Sequence, residues 1–358
     1  MKQRVILTVS NDIATDQRLH KVCTSLEKAG FSPLLVGRKK KNSLALEKRS
    51  YATERLPMWF EEGKLFYLEL NLRLFFYLLM HRADIITAND LDTLLPCFLV
   101  SRLKGSKLVY DSHEYYTEVP ELAHRPFEKK LWTLLERWIF PQLERVSTVG
   151  NSIANAYSQK YGVPVVVVRN MPSKWELNKE VGLKEKILIY QGAVNMGRGI
   201  ELMMETMALL PEFTLWIIGD GPLWKRLKEE ARTTPNVKFW GKLPFHELKP
   251  LTSQAMIGLS LEEDIGLNYR YALPNKIFDY VQSQVPIICS DLPEMRAIVE
   301  GYVIGEILKE RTAHALAKVV TSMSQDEGRY LSYQANCRTA ALELTWENAE
   351  PTLISLYQ

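Results

Sequence analysis

Three acids stand together at Glu262, Glu263 and Asp264, and a lysine follows at Lys276. Lys276 opens an amphipathic run that reads as a helix beginning near Asn275. Free backbone N–H groups at a helix N-terminus, with a lysine beside them, favour an anion such as a phosphate. Asp279 comes three residues after Lys276 and shares nearly the same helical face. The stretch predicts a cradle for a nucleotide diphosphate. Lys276 and the amides near Asn275 would meet the phosphates, and carboxylates would meet ribose or sugar hydroxyls. A helix cap with a surface ion pair is the plainer alternative.

Other loops carry similar chemistry. Gly192 to Gly199, GAVNMGRG, holds Gly192, Gly197 and Gly199, with Arg198 at the start of the next helix. Glycines let backbone approach a ligand, and an arginine there suits phosphate. Gly219-Asp220-Gly221-Pro222 is a second glycine turn, able to approach a nucleotide base or simply to turn tightly. Asp111-Ser112-His113-Glu114 puts a histidine between acids, where it could hydrogen-bond a sugar hydroxyl or a reacting group near neutral pH. Asp12 and Asp16 suit hydroxyl recognition on an acceptor, and equally suit helix capping. Asp90-Leu91-Asp92 has the form of a metal-holding DxD, but its surroundings suggest helix capping, so no metal is assigned. HExxH, GxSxG, CxxC, GxGxxG and P-loop patterns are absent from the sequence, which weighs against a dehydrogenase.

These loops need a scaffold. The chain has 358 residues, 46% hydrophobic and 24% charged, which predicts an ordinary globular protein of two domains. A net charge of +3 does not argue for nucleic acid. Cys23, Cys97, Cys289 and Cys337 lie far apart and read as buried thiols in a reducing compartment. The sequence runs from Met1 directly into a strand, so a cytoplasmic chain without a signal peptide is expected.

Strand and helix signals alternate through the first half, from Arg4–Ser10 to Pro164–Val168. The pattern breaks near Asn170, and a polar connector runs to about Glu185. The plan then repeats, from Lys186–Tyr190 through Phe213–Ile218, Val237–Trp240, Ala255–Leu259 and Pro286–Cys289, with helices to the end. Alternation of this kind predicts α/β architecture: two doubly wound, Rossmann-like parallel sheets, with ligands beyond the carboxyl ends of the strands. The expected domains are residues 1–170, 171–340 and a C-terminal helix in 341–358. Residues 65–80, LFYLELNLRLFFYLLM, are very apolar but too short and too charged to span a bilayer. They read as a buried amphipathic helix, with an interfacial membrane helix as the alternative. The basic run Arg38 to Lys41 reads as a solvated loop that could also meet an anionic acceptor or lipid headgroups.

Taken together, NDIATDQRLHKV, KLVYDSHEYYTEVPEL, VSTVGNSIANAYSQKYGVPVVVVRNMPS, YQGAVNMGRGIELMMETMALL, LWIIGDGP and LPNKIFDYVQSQVPIICSDLPE resemble a GT-B glycosyltransferase of the family 4 (group 1) type. The resemblance covers nearly the whole chain and is strongest to bacterial members that build polysaccharide or glycolipid. It implies a nucleotide-diphosphate sugar donor held mainly by the second domain. Donor contacts would come from Gly192, Gly197, Gly199, Gly219, Gly221, Glu262, Glu263, Asn275 and Asp279. The acceptor, a glycan or lipid-linked glycan, would lie mainly on the first domain, near Asp12, Asp16, Asp111 and Glu114. It further implies retention at the anomeric carbon and no cofactor or bound metal. Arg198 and Lys276 would neutralise the departing diphosphate, and His113 would touch the transferred sugar. The final helix would cross back to the first domain. Apart from the resemblance, the apolar run and the basic run would allow peripheral membrane contact through 65–80 and 38–41.

The chain departs from the family pattern twice. Ala193 stands where an arginine is common, leaving Arg198 as the glycine-loop cation. In the paired-acid motif E-x7-E, Asp279 replaces the second glutamate and Tyr271 stands eight residues before it. The first acid is then Glu262 or Glu263 with a longer loop, or is absent. A same-fold nucleotide-sugar 2-epimerase and a non-catalytic nucleotide-sugar binding subunit are the alternatives.

Overall fold

The computed structural model describes residues 2–123, 125–175 and 182–358. The polar connector expected before Glu185 lies partly outside them. The chain forms two compact units. One is residues 1–170 with 349–358, and the other is residues 171–348.

The first unit holds a seven-stranded sheet. Its strands are β1 (Arg4–Thr8), β2 (Ser32–Lys39), β3 (Ala52–Pro57), β4 (Ile85–Asn89), β5 (Lys107–Ser112), β6 (Val146–Thr148) and β7 (Val165–Val167). The order is β3-β2-β1-β4-β5-β6-β7, and every pairing is parallel. The second unit holds six parallel strands: β8 (Glu185–Gln191), β9 (Thr214–Ile218), β10 (Val237–Gly241), β11 (Ala255–Ser260), β12 (Ile287–Ser290) and β13 (Gly305–Leu308). Their order is β10-β9-β8-β11-β12-β13. In both sheets the order reverses beside the first strand, and loops after the flanking strands diverge there to leave a crevice. Central strands are apolar on both faces because helices cover both: β4 and β11 are buried at every residue.

Two strands escape the sequence pattern. β3 reads Ala-Thr-Glu-Arg-Leu-Pro and alternates in exposure, as an edge strand with one wet face does. β13 is four residues long and, among the described residues, pairs only with β12. Neither has the apolar run that marks a strand in sequence. The basic run at 38–41 is also not wholly a loop. Arg38 and Lys39 close β2, and the Arg38 guanidinium lies 4.3 Å from the Phe66 ring centre.

The apolar helix spans Gly63–Met80 and is not the buried helix expected. Phe66, Leu70, Leu74 and Leu78 are buried, whereas Leu65, Leu68, Leu72, Phe76 and Met80 are exposed. A helix apolar all round has only one side to place against the helix Leu91–Lys104. The other side is left to solvent. No helix among the described residues is long and apolar enough to cross a membrane. All four cysteines are buried free thiols. The last residues belong to the first unit: Tyr357 is buried, accepts a hydrogen bond from Thr87 at 3.2 Å, and packs its ring edge-on to Phe31.

Candidate active site

In the first unit the chemistry gathers where β4 and β5 end side by side. Their parallel register sets Asn89 opposite Asp111. Asp90 follows β4, and His113 lies just past β5. Asp90 sits at φ 65°, in the left-handed region that is uncommon for a residue with a side chain. Its N–H donates to the Asp111 carbonyl at 2.9 Å. Its carboxylate accepts the His113 backbone N–H at 2.7 Å and faces His113 Nδ1 at 3.2 Å. On the other side of the ring, His113 Nε2 lies 3.0 Å from Asp111 Oδ2. Both ring nitrogens therefore face carboxylates, an arrangement satisfied only by the doubly protonated imidazolium. Burial opposes that charge, but Asp90 and Asp111 overcome it and raise the His113 pKa to about 10.

Asp111 is engaged by neighbouring side chains. Its oxygens are held by the Arg18 fork at 2.9 and 3.0 Å, by Ser147 at 2.8 Å and by His113. Burial would raise its pKa, but Arg18 and then His113 hold the carboxyl well below the usual range. It positions His113, and Arg18 in turn positions it while also donating to the Val168 carbonyl. Asp16 caps the helix Gln17–Lys28 by accepting the Leu19 N–H at 3.0 Å. Asp12 accepts the Ala14 N–H and lies 3.5 Å from Arg55. Glu114 is exposed. The capping role expected for Asp90 is corrected: its side chain caps nothing and holds His113 instead. Burial, followed by Asp90, raises the Asp92 pKa to about 7.

In the second unit, Glu262, fully buried just beyond β11, is the centre. Lys276, in the first turn of the helix Asn275–Gln282, places Nζ 2.7 Å from Glu262 Oε1. Arg198 reaches the same oxygen at 3.7 Å, and Ser260 donates to Oε2 at 2.8 Å. Burial raises the Glu262 pKa, but Lys276, then Arg198 and Ser260, hold it below the ordinary value. Burial lowers the Lys276 pKa against the opposing pull of Glu262. The Lys276 ammonium also lies 4.0 Å from the Tyr190 ring centre, and the Arg198 guanidinium 5.0 Å from that of Tyr269. Asn275 is exposed at the start of its helix. Asp279 accepts from Gln191 Nε2 at 2.9 Å.

Between the two neighbouring acids the structure distinguishes clearly. Glu262 belongs to the cluster. Glu263 is turned toward solvent, 3.7 Å from Arg311. Arg311 also donates to the carbonyls of Leu261 and Glu262, pinning this loop.

The glycines allow close loop packing. Gly219 has φ 141°, and a Cβ there would lie 1.8 Å from the Gly192 carbonyl oxygen. Gly221 likewise meets Val194, and Gly199 meets the Leu261 carbonyl. Gly197 faces Ile265 and Tyr269. Gly192 differs, because it borders the Lys276 side chain: a Cβ there would sit 3.5 Å from Cε. Sequence reasoning missed Arg18 and Arg311, and read Asp90 only as a helix cap. Asp90 at a strand end beside Asp92 was the available signal, whereas Arg18 stands among Gln17, His20 and Lys21 in an ordinary polar helix stretch and carries none.

Residues 16–171 match the model for Glycosyltransferase Family 4, and residues 185–326 match that for Glycosyl transferases group 1. No curated protein matches the chain in sequence. Among solved structures, sucrose-phosphate synthase from Thermosynechococcus elongatus is similar with a TM-score of 0.83 at 16% identity, covering 99% of this chain and 98% of the other. HepE from Anabaena in complex with UDP and glucose is similar with a TM-score of 0.75 at 13% identity, covering 99% of both chains. TarM from S. aureus, in a complex that includes alpha-GlcNAc-glycerol and UDP, gives 0.75 at 9% identity, covering 99% and 100%. Two family models in tandem over most of the chain, on this pair of sheets, place it: the chain belongs to the GT-B glycosyltransferases of the family 4, group 1 type.

Proposed function

We propose that this chain transfers a sugar from a nucleotide-diphosphate sugar to a glycan or lipid-linked glycan acceptor, with retention at the anomeric carbon and without a bound metal. The observation that carries it is the convergence of Lys276 and Arg198 on buried Glu262, beside the first turn of the helix Asn275–Gln282. Two cations against one carboxylate leave one positive charge in excess at a helix N-terminus, which suits a diphosphate. In transfer, the bond from the anomeric carbon to the β-phosphate oxygen breaks and its electron pair stays on the phosphate. The acceptor oxygen bonds to that carbon, and its proton leaves to the departing phosphate. Lys276 and Arg198 stabilise the charge that develops on the leaving group, the part a metal plays elsewhere. Among the described residues no group of three acidic, histidine or cysteine side chains is placed to hold a metal ion. The sugar is a hexose or an N-acetylhexosamine in this reading.

His113 acts as a charged donor to a sugar hydroxyl, not as a base. The longer of its two contacts, to Asp90, is the one that yields to a substrate. That assignment disfavours the 2-epimerase, which needs an acid/base pair from His113 and Glu114. Ala193 and the shortened Asp279 favour a second reading, a non-catalytic nucleotide-sugar binding subunit.

The test is a thermal-shift screen against UDP, GDP, ADP, CMP and their sugar conjugates, with and without Mg2+, followed by assay of nucleotide release. UDP comes first because the HepE complex carries it. Saturation at 100 times Kd adds about 2.7 kcal/mol. A shift independent of Mg2+, with free nucleotide diphosphate appearing only when acceptor is present, supports the transferase. A shift without turnover supports the binding subunit. No shift with any nucleotide overturns the donor site.

A further inference from the structure

Two hydrogen-bond acceptors of the first unit are buried without a donor. Asn89 ends β4, and Asp92 stands in the first turn of the helix Leu91–Lys104; they are 1% and 5% exposed. Among the described residues, neither Asn89 Oδ1 nor Asp92 Oδ1 has a hydrogen-bond partner. The Asn89 amide is fixed by its other end, Nδ2 donating to the Thr8 carbonyl at 2.9 Å. The turn that carries Asp92 is fixed too. Asn71 Nδ2 donates to the Asp92 carbonyl at 2.9 Å, and Thr93 Oγ1 donates to the Asn89 carbonyl at 3.0 Å. The Ser10 hydroxyl meets the Asp92 carboxyl. Buried acceptors are nearly always satisfied, because an oxygen withdrawn from water without a donor is costly. Leucine has nearly the shape of aspartate and would fill the same space with no oxygen to satisfy, so packing does not explain Asp92.

The place of the two oxygens points to a ligand. Thr8 of β1 lies opposite Ala88 of β4, so Ser10 and Asp92 stand on the two loops that part where the strand order reverses. Ligands of doubly wound sheets bind in that crevice. The titratable groups around the Asp92 carboxyl are Asp90, His113 and Glu114, with Tyr67 and Tyr116 from the elements packed against it. A group held at Asp92 therefore lies near the imidazolium of His113. Asp12, Asp16 and Asp111 accept hydrogen bonds from their own chain, whereas Asp92 Oδ1 accepts none. An oxygen of this kind calls for a donor, and hydroxyls are the donors that a glycan offers. We propose that Asp92, together with Asn89, receives a hydroxyl of the acceptor glycan in the crevice between β1 and β4. The inference deepens the transferase reading and rests on it for the identity of the ligand.

The experiment compares the parent with Asp92→Leu and Asp92→Asn. Without ligand, Asp92→Leu is expected to unfold at the parent's temperature or above it, because it removes an unsatisfied carboxyl and keeps its volume. A clearly lower temperature in both variants would mean that Asp92 serves the fold, and overturns the proposal. Transfer is then followed by nucleotide release, with octyl glucoside, octyl galactoside and octyl N-acetylglucosaminide as acceptors and the nucleotide sugar chosen by thermal shift as donor. For the acceptor that the parent uses best, Asp92→Leu should lower kcat/KM about tenfold or more, the scale of a hydrogen bond to a charged group, mainly by raising the acceptor KM. Donor KM and the nucleotide-induced thermal shift should stay at the parent's values. A hydroxyl that donates to the carboxylate favours its charged form, and His113 keeps its charge to about pH 10. The parent's kcat/KM for the acceptor should therefore rise as pH passes about 7, and Asp92→Asn should lose that rise. Variants with the parent's acceptor KM overturn the proposal. So does a rise in donor KM instead, which would assign the hydroxyl to the transferred sugar. A parent that shows a nucleotide shift but uses none of these acceptors fails the transferase reading, and the proposal falls with it.

Discussion

Lys276 Nζ lies 2.7 Å from Glu262 Oε1, with the glutamate fully buried and the lysine nearly so. A pair withdrawn from water to this degree is costly to break from one side only, because the remaining charge stays buried without its counter-ion. Glu262→Ala is therefore expected to lower unfolding free energy by about 3–5 kcal/mol. Urea denaturation of the single variants and of Glu262→Ala with Lys276→Ala checks it. The double variant should lose clearly less than the sum of the two. Additive losses would show that the two side chains do not interact.

Arg198 separates binding from folding. It is about one-quarter exposed and lies farther from Glu262 than Lys276 does. Arg198→Ala should leave thermal unfolding within about 1 kcal/mol of the parent, as partly exposed substitutions do. It should weaken nucleotide-diphosphate binding by about 1.5–3 kcal/mol, the range for hydrogen bonds to charged groups. Calorimetric titration with the nucleotide found in the thermal-shift screen measures it. Unchanged affinity would remove Arg198 from the phosphate site.

His113 should make stability fall in alkali. Its folded pKa, about 10, stands above the ordinary value of 6.5. A raised pKa means that the folded state holds the proton more tightly than the unfolded chain does. The contribution is fully present below about pH 6.5 and is lost as pH rises toward 10. His113→Asn should flatten the stability profile across that window. A parent profile level from pH 7 to 10 would contradict the imidazolium assignment.

Arg18 should be irreplaceable by lysine. Its planar fork holds both oxygens of Asp111 while Nη1 donates to Val168. Lysine offers a point charge without the fork. Arg18→Lys is expected to cost about 2 kcal/mol or more, since at least one buried acceptor loses its partner. It should also slow turnover through misplaced His113, with donor affinity little changed. Denaturant unfolding beside kcat and KM shows whether both effects occur.

Gly219 tests the loop packing. Its φ of 141° and the nearness of the Gly192 carbonyl leave no room for a methyl group. Gly219→Ala should lose more than about 1 kcal/mol, the scale for alanine at a positive φ. Nucleotide affinity should drop with it, because the Gly192 loop must move. Wild-type melting and affinity would mean that the two loops do not pack as described.

Much of the scaffold was legible because parallel strands buried on both faces write themselves as apolar runs between helical stretches. Arg4–Thr8, Glu185–Gln191 and Ala255–Ser260 are such runs. The edge strand Ala52–Pro57 and the short Gly305–Leu308 were not, since a half-exposed edge needs no apolar run. The acidic stretch and Lys276 were legible as a charged cluster at a helix start. Which acid Lys276 meets was not, because Glu262 and Glu263 are identical in type and adjacent, and only the turn after β11 sends one inward.

The sequence by itself determined the alternation of strands and helices, the loops that carry glycine and charge, and hence the kind of ligand those loops suit. Those properties are local: periodicity, residue type and spacing. Only the tertiary structure decided that Asp90 and Asp111 clasp His113, that Arg18 locks Asp111, and that one side of Gly63–Met80 stays exposed. Each of these depends on strands far apart in the chain lying side by side, or on one helix reaching one neighbour and not another. Register and packing set such distances, and no spacing along the chain records them.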